Sequence, residues 1–270
     1  MSRMHHRERL YKHFYQAFCL FKGETEMKTN IREMSPSALA RFAGVLYLVI
    51  TVAAIFAHMV IPDHFIVAGD AATTAANIAT NATTFRLGTV GSELIILLSE
   101  IVLAVVLYVL LKPVSKTLSL VAAVSRLAMT TIHGLNLLNY YFVFQLLNGA
   151  DFATAFSPDQ VNALVTLFLD AHSIGFTIGI AFLVPHVLIL GYLIVQSGYF
   201  PKVLGFLFIA AGIGYLFDAT GLLLVASYTT TPGVIAAVIA IAEIAFPVWL
   251  LVKGVNMDRW QNRPLALEAA

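Results

Sequence analysis

Five carboxylic acids sit inside otherwise apolar stretches: Glu93, Glu100, Asp170, Asp218 and Glu243. One base, Arg126, and the histidines His133, His172 and His186 share such surroundings. An ionised side chain at the centre of a membrane span costs about 2.5–3.5 kcal/mol. Such residues face a bundle interior, pair with one another, or take up protons. Their chemistry is proton binding, ion coordination or charge pairing. Arg126 cannot neutralise five acids, so Glu100, Arg126, Asp170, His172, Asp218 and Glu243 are the candidates for a binding or proton-linked site. Glu93, His133 and Asn136 are secondary candidates. A metal site from His133, Asp170, His172 and Glu243 has suitable residue types, but no H-E-x-x-H or similar spacing supports it. No metal ligand and no cofactor is therefore assigned.

Spacing groups these residues into stripes, since positions three, four and seven apart share a helix face. Arg86, Glu93 and Glu100 recur every seven residues. Arg126, Thr130 and His133 form a second stripe, flanked by Asn136. Asn162, Thr166, Asp170, Ser173 and Thr177 form a third. His172 and His186 lie on a different face, with Gly175 and Gly179 between them, a small-xxx-small pair that predicts close helix contact. Gly212 and Gly214 precede Asp218, and Glu243 precedes Pro247 by four, which frees the Glu243 carbonyl. Glu243 falls near mid-span, Asp170 and Asp218 somewhat toward the outer side, and Glu93 nearer the outer face, where it is expected to reach water. Arg126 and Glu100 both fall about 15 Å from the inner end, which predicts that they pair.

These residues are carried by a very apolar chain of 270 residues, 59% hydrophobic and 11% charged, with mean hydropathy +0.84. Soluble proteins carry about 25% charged residues, so the composition predicts an integral membrane protein. A span needs about 20 apolar residues. Six are read, at about 38–61, 86–111, 117–147, 160–196, 203–227 and 232–253. The third and fourth exceed the minimum and must tilt, kink or protrude. Pro185 predicts a bend and a free carbonyl at Ala181. Asp70 predicts the cap of a short helix through Ala79 that lies over the outer end as a lid. The single Cys19 excludes an internal disulfide. No basic stripe interleaved with aromatics points to nucleic acid, and no phosphate loop or G-x-S-x-G elbow is present.

Fourteen of the sixteen basic residues fall in the N-terminal segment, the second and fourth connections and the C-terminal tail. The exceptions are Arg86 and Arg126. The positive-inside rule then places both termini in the cytoplasm. The expected organisation is an all-α, polytopic six-helix bundle over residues 35–254, with an N-terminal segment 1–34 and a cytoplasmic tail 255–270. For the N-terminal segment two readings stand: an interfacial helix over "LYKHFYQAFCLF", or a start codon at Met27 or Met34.

The stretches "ARFAGVLYLVI", "AGDAATTAANIATNATTFRLG", "LYVLLKPVSKTLSLVAAVSRL", "LFLDAHSIGF", "LILGYLIVQSGYFPKVLGFLF" and "AEIAFPVWLLVKG" resemble the bacterial multi-spanning membrane family known as domain of unknown function 4386, over about residues 40–254. The resemblance implies a fold and a location in the bacterial cytoplasmic membrane, and adds no mechanism. It also implies that Asp70, Arg86, Glu100, Arg126, Asp170, His172, Pro201 and Glu243 belong to the family pattern.

Three functions are compatible with these residues. The first is a transporter-like or sensor-like protein for a small solute or ion, with a buried acidic, proton-linked cavity. The second is a non-catalytic accessory or structural module. The third is an intramembrane metal-dependent hydrolase. The lipid bilayer is the expected partner, nucleic acid is not, and the oligomeric state is open. Single cysteines at Asp70, Asp151 and Tyr228, in a Cys19-free background, are expected to react with an impermeant thiol reagent in intact cells. Cysteines at Ser115 and Lys202 are expected to stay unlabelled, and labelling of Ser115→Cys would reverse the topology.

Overall fold

The computed structural model describes residues 34–149 and 151–262. The two readings of the N-terminal segment fall on residues outside these. Six described helices are long and apolar enough to cross a membrane: α1 (Pro36–Phe65), α3 (Ala82–Leu111), α4 (Lys116–Leu147), α5 (Pro158–Ser197), α6 (Lys202–Leu224) and α7 (Gly233–Val252). Short α2 (Ala71–Thr80) joins the first two, and α8 (Met257–Gln261) comes after the last. Side chains such as Leu98, Val105, Leu135, Leu224 and Val234 stay exposed. An apolar surface of that kind requires hydrocarbon around it.

Local sequence sets the helix ends. Ser157 caps α5 in a reciprocal capping box with Gln160, Pro158 occupies the first turn, and Gly198 ends the helix at φ 70°. Ser115 caps α4 through the Leu118 amide. Asp70 caps α2, as its position predicts, and bonds from the Thr73 amide and hydroxyl hold its carboxyl below the usual value.

Each span packs on its neighbours in sequence, and α7 returns to α1, closing a ring. One end carries Lys112, Lys116, Lys202 and Lys253 and is called the basic end; the other, covered by α2, is the cap end. Among the described residues two main cores fill the bundle, with a small third one at Ala53, Ala57 and Ile96. Leu103, Leu107, Leu190, Phe208 and Phe246 belong to the larger, toward the basic end. Phe65, Ile78, Phe85, Tyr140, Phe144 and Val165 form the second, beneath α2, which is the lid the sequence predicts. The 40 residues of α5 extend about 60 Å, whereas α6 and α7, with 23 and 20, extend about 35 and 30 Å. A hydrocarbon layer is about 30 Å thick, so the start of α5 projects beyond it.

Two local features depart from regular helix. α1 contains a π-turn at Phe56–Val60 and α3 one at Leu87–Gly91, and the two turns touch. A π-turn carries extra residues per turn and so rotates the faces of the helix on either side of it relative to each other. Arg86 therefore leaves the stripe expected with Glu93 and Glu100: it is exposed and lies 4.4 Å from the Phe144 ring centroid. At Pro185 the helix continues without interruption. Ser125 of α4 donates to the Phe182 carbonyl and accepts from the His186 amide at 3.2 Å. The hydroxyl thus bridges the pair that a regular turn would join, so the cross-helix bond is made one residue beyond the Ala181 carbonyl that Pro185 deprives of its donor.

Glycines set the closest helix approach. A Cβ on Gly191 of α5 would lie 2.7 Å from the Gly205 carbonyl oxygen and 2.8 Å from the Ile209 amide nitrogen of α6. Backbone atoms cannot turn aside, so Gly191→Ala is expected to lower the melting temperature in detergent sharply. Gly134→Ala meets only the Leu97 side chain, at 3.8 Å, and is expected to be neutral or stabilising, since alanine favours helix by about 1 kcal/mol.

Candidate functional site

Arg126 leaves α4 toward the larger core, only 5% exposed. Its Nε and Nη2 donate to the two carboxylate oxygens of Glu100, the Nη2 bond being 2.9 Å. This is the pairing expected from depth, and its two-pronged form is the strong one for a guanidinium. The third nitrogen, Nη1, lies 2.9 Å from His186 Nε2 and 3.5 Å from Tyr47 Oη. The guanidinium carbon also lies 5.2 Å from the Tyr47 ring centroid. His186 Nδ1 faces the Ala122 carbonyl at 2.9 Å. A carbonyl only accepts, so Nδ1 carries the hydrogen, and Nε2 keeps a lone pair for Arg126. The imidazole in this arrangement is neutral. Tyr47, Glu100, Arg126 and His186 thus join α1, α3, α4 and α5 in one closed set of hydrogen bonds.

A second polar layer lies toward the cap end. His133 Nε2 faces the Phe176 carbonyl at 3.1 Å, and its ring stacks on that of Phe176 at 4.7 Å. Asn136 donates to the His172 carbonyl at 2.8 Å, and Asn139 donates to Asn136 Oδ1 at 2.9 Å. The His172 ring packs 4.0 Å from that of Tyr140. Gly175 and Gly179 lie directly under Asn136 and His133, the close contact their spacing predicts. Glu93 is buried rather than in reach of water, and His58 Nε2 lies 3.3 Å from its Oε1. The facing π-turns produce this contact: His58 lies within one, and Glu93 comes two residues after the other.

The remaining candidates stand apart. Asp170 is exposed, and so is Ser173, whose hydroxyl bonds within its own helix. Asn162, Thr166 and Thr177 are half-buried, and the two threonine hydroxyls bond to carbonyls of their own helix, so the predicted stripe lines no interior. Asp170 lies on the part of α5 that projects toward the cap, where polarity marks water rather than a core. The buried face is the one with His172, Gly179 and His186. Asp218 accepts from Tyr228 at 2.8 Å and Thr231 at 3.0 Å, which fastens the α6–α7 connection. Glu243 is exposed and accepts from Tyr215, yet lies within electrostatic reach of Arg126. Among the described residues no three of His, Cys, Asp and Glu converge to hold a metal ion, so the set His133, Asp170, His172 and Glu243 is not brought together.

Sequence reasoning missed His58, Tyr47 and Tyr215, and left His186 off the list of candidates. Tyr47 and His58 are eleven residues apart, about three turns, and so share a face of a regular helix as Arg126 and His133 do at seven. Tyr215 has no such signal.

The fold and these layers define a polytopic helical membrane protein built around a buried ion pair. The chain belongs to the family described as domain of unknown function DUF4386, whose model matches residues 42–254. It is similar to an uncharacterised protein of Archaeoglobus fulgidus, 31% identical over 176 residues, covering 65% of this chain and 88% of that protein. No solved structure matches the chain.

Removing one member of a buried pair leaves an uncompensated charge, at a cost of about 3–5 kcal/mol. Glu100→Gln and Arg126→Gln are each expected to lower the melting temperature sharply, and the double mutant to recover much of the loss. A double-mutant cycle on thermal unfolding reads the coupling. Simple addition of the two losses would mean that the residues act separately.

Proposed function

We propose that the protein is a proton-linked membrane protein, transporter-like or sensor-like, that handles a small solute or ion. The observation that carries this reading is the contact of His58 with Glu93 between two facing π-turns. π-turns are rare and recur at functional sites. Among the described residues Glu93 has no partner with a permanent charge, unlike Glu100. A proton gained or lost at Glu93 or His58 changes the charge of the contact between α1 and α3, and with 26% of the His58 side chain exposed the pair is not sealed within the protein. His133, Asn136, Tyr140 and His172 surround the pair from α4 and α5. Glu243, exposed on α7 and held by Tyr215, is a second proton-taking group near mid-span. Asp170 and Asp218 take structural or surface roles in this reading.

The distribution of basic residues supports both termini in the cytoplasm, and the bacterial cytoplasmic membrane is carried over from the family resemblance alone. The accessory-module reading draws on the closed bonds around Arg126, which require no ligand. The hydrolase reading has no converging ligand set behind it.

The test is proton uptake by the purified protein in liposomes, read by infrared difference spectroscopy across a step within about pH 5 to 8, where a histidine–carboxylate contact responds. Wild type is expected to give a carboxyl band that disappears in Glu93→Gln and shifts in His58→Gln, with both variants keeping wild-type helix content. A band unchanged in Glu93→Gln, or no uptake, would leave the accessory-module reading in its place.

A further inference from the structure

An open groove of about 620 Å³ runs between α4 and α5 on the surface of the bundle, lined by Leu120, Val121, Val124, Ala181, Phe182 and Pro185, with Ser125 beside them. Its origin lies in the Pro185 site. Ala181 and Ser125 are small, and Ser125 turns its hydroxyl in between the Phe182 carbonyl and the His186 amide. That hydroxyl is already bonded on both sides, so the groove offers a visitor an almost wholly apolar wall. An alkyl chain fits such a wall, and a polar ligand does not.

Charge at the mouth identifies the head of the visitor. Lys116, Leu120 and Val124 succeed one another at intervals of four and so lie along one line of α4. Lys116 is exposed at the basic end, about 6 Å below Leu120 and 12 Å below Val124. Lys112, also exposed, lies four residues before it. The two ion pairs among the described residues are His58–Glu93 and Arg126–Glu100, so neither lysine has an acidic partner there. The sequence from Ile101 to Gly149 contains no Asp or Glu at all. Unpaired ammonium groups at a membrane surface attract anionic lipid headgroups.

We propose that this groove is a binding site for an anionic phospholipid of the bilayer, with one acyl chain along Leu120, Val124 and Phe182 and the phosphate on Lys116 and Lys112. The site is independent of the proton-linked reading above. It adjoins the core, because Ser125 at its wall holds the His186 amide while the His186 ring holds Arg126. Occupancy therefore stiffens α4 against α5 where the ion pair is anchored.

The experiment uses the full chain in mild detergent and in bilayer nanodiscs. Native mass spectrometry counts bound phosphatidylglycerol against phosphatidylcholine from an equal mixture, and thermal unfolding is monitored with each lipid. Wild type is expected to retain one phosphatidylglycerol with roughly tenfold preference or more, as two lysines at a surface imply, and to melt higher in its presence. The pair Lys112→Gln and Lys116→Gln is expected to bring the preference close to unity. Val124→Trp, which fills the groove, is expected to lose the retained lipid and the melting shift together; Leu120→Trp serves if that variant does not fold. Retention and shift unchanged in the filled variant would overturn the groove as the site. A preference unchanged in the lysine pair would overturn the assignment of the headgroup.

Discussion

A guanidinium that cannot shed its proton lies in the apolar middle of this bundle, and it dictates the arrangement of four helices. A buried carboxyl can escape its desolvation cost by becoming neutral, but arginine keeps its charge. Arg126 must therefore find partners for all three nitrogens inside the protein. Glu100 supplies a charge and two acceptors, and His186 supplies a lone pair that the Ala122 carbonyl selects by holding the other nitrogen's hydrogen. Tyr47 supplies an oxygen and the face of a ring. A slip of α1, α3, α4 or α5 by one residue would turn one of these groups away. The ion pair thus acts as a register pin for a bundle whose side chains are otherwise interchangeable grease.

The two polar layers differ in kind. Around Arg126 each described polar atom has a protein partner and the group is closed. Toward the cap end Glu93 has a histidine as its ionic partner, and that histidine is partly open to the surroundings. The first layer resists change. The second is built from groups whose charge depends on conditions, and it sits where two helices carry irregular turns. A functional response is more economically placed in the second than in the first.

Much of this was legible in the sequence, and the failures have physical causes. All six spans, the cap at Asp70, the close approach at Gly175 and Gly179, and the Glu100–Arg126 pair follow from hydropathy, capping chemistry and depth. The stripe from Arg86 to Glu100 failed because a π-turn adds residues that a fixed period of 3.6 does not contain. The stripe through Asp170 failed because polarity was read as facing inward along a helix twice as long as the membrane is thick. Where α5 leaves hydrocarbon, the meaning of a polar residue reverses. His186 and Ser125 escaped because their importance depends on a neighbouring helix: one completes the partners of an arginine, the other bridges a carbonyl and an amide beside a proline in a different span.

The unequal heights of the helices bear on what stands outside the membrane. On the side of α3, α4 and α5 the protein presents a tall wall, crowned by the aromatic core beneath α2, while α6 and α7 barely cross the hydrocarbon. Lipids on the short side must meet two helices of minimum length, and those on the tall side meet a helix that outlasts them. The part of α5 that outlasts the hydrocarbon stands in water and asks for no thicker bilayer, so the two flanks differ in how far they project and not in the hydrocarbon they demand. Whatever approaches from the water on the cap side therefore meets the end of α5 before it meets α6 or α7.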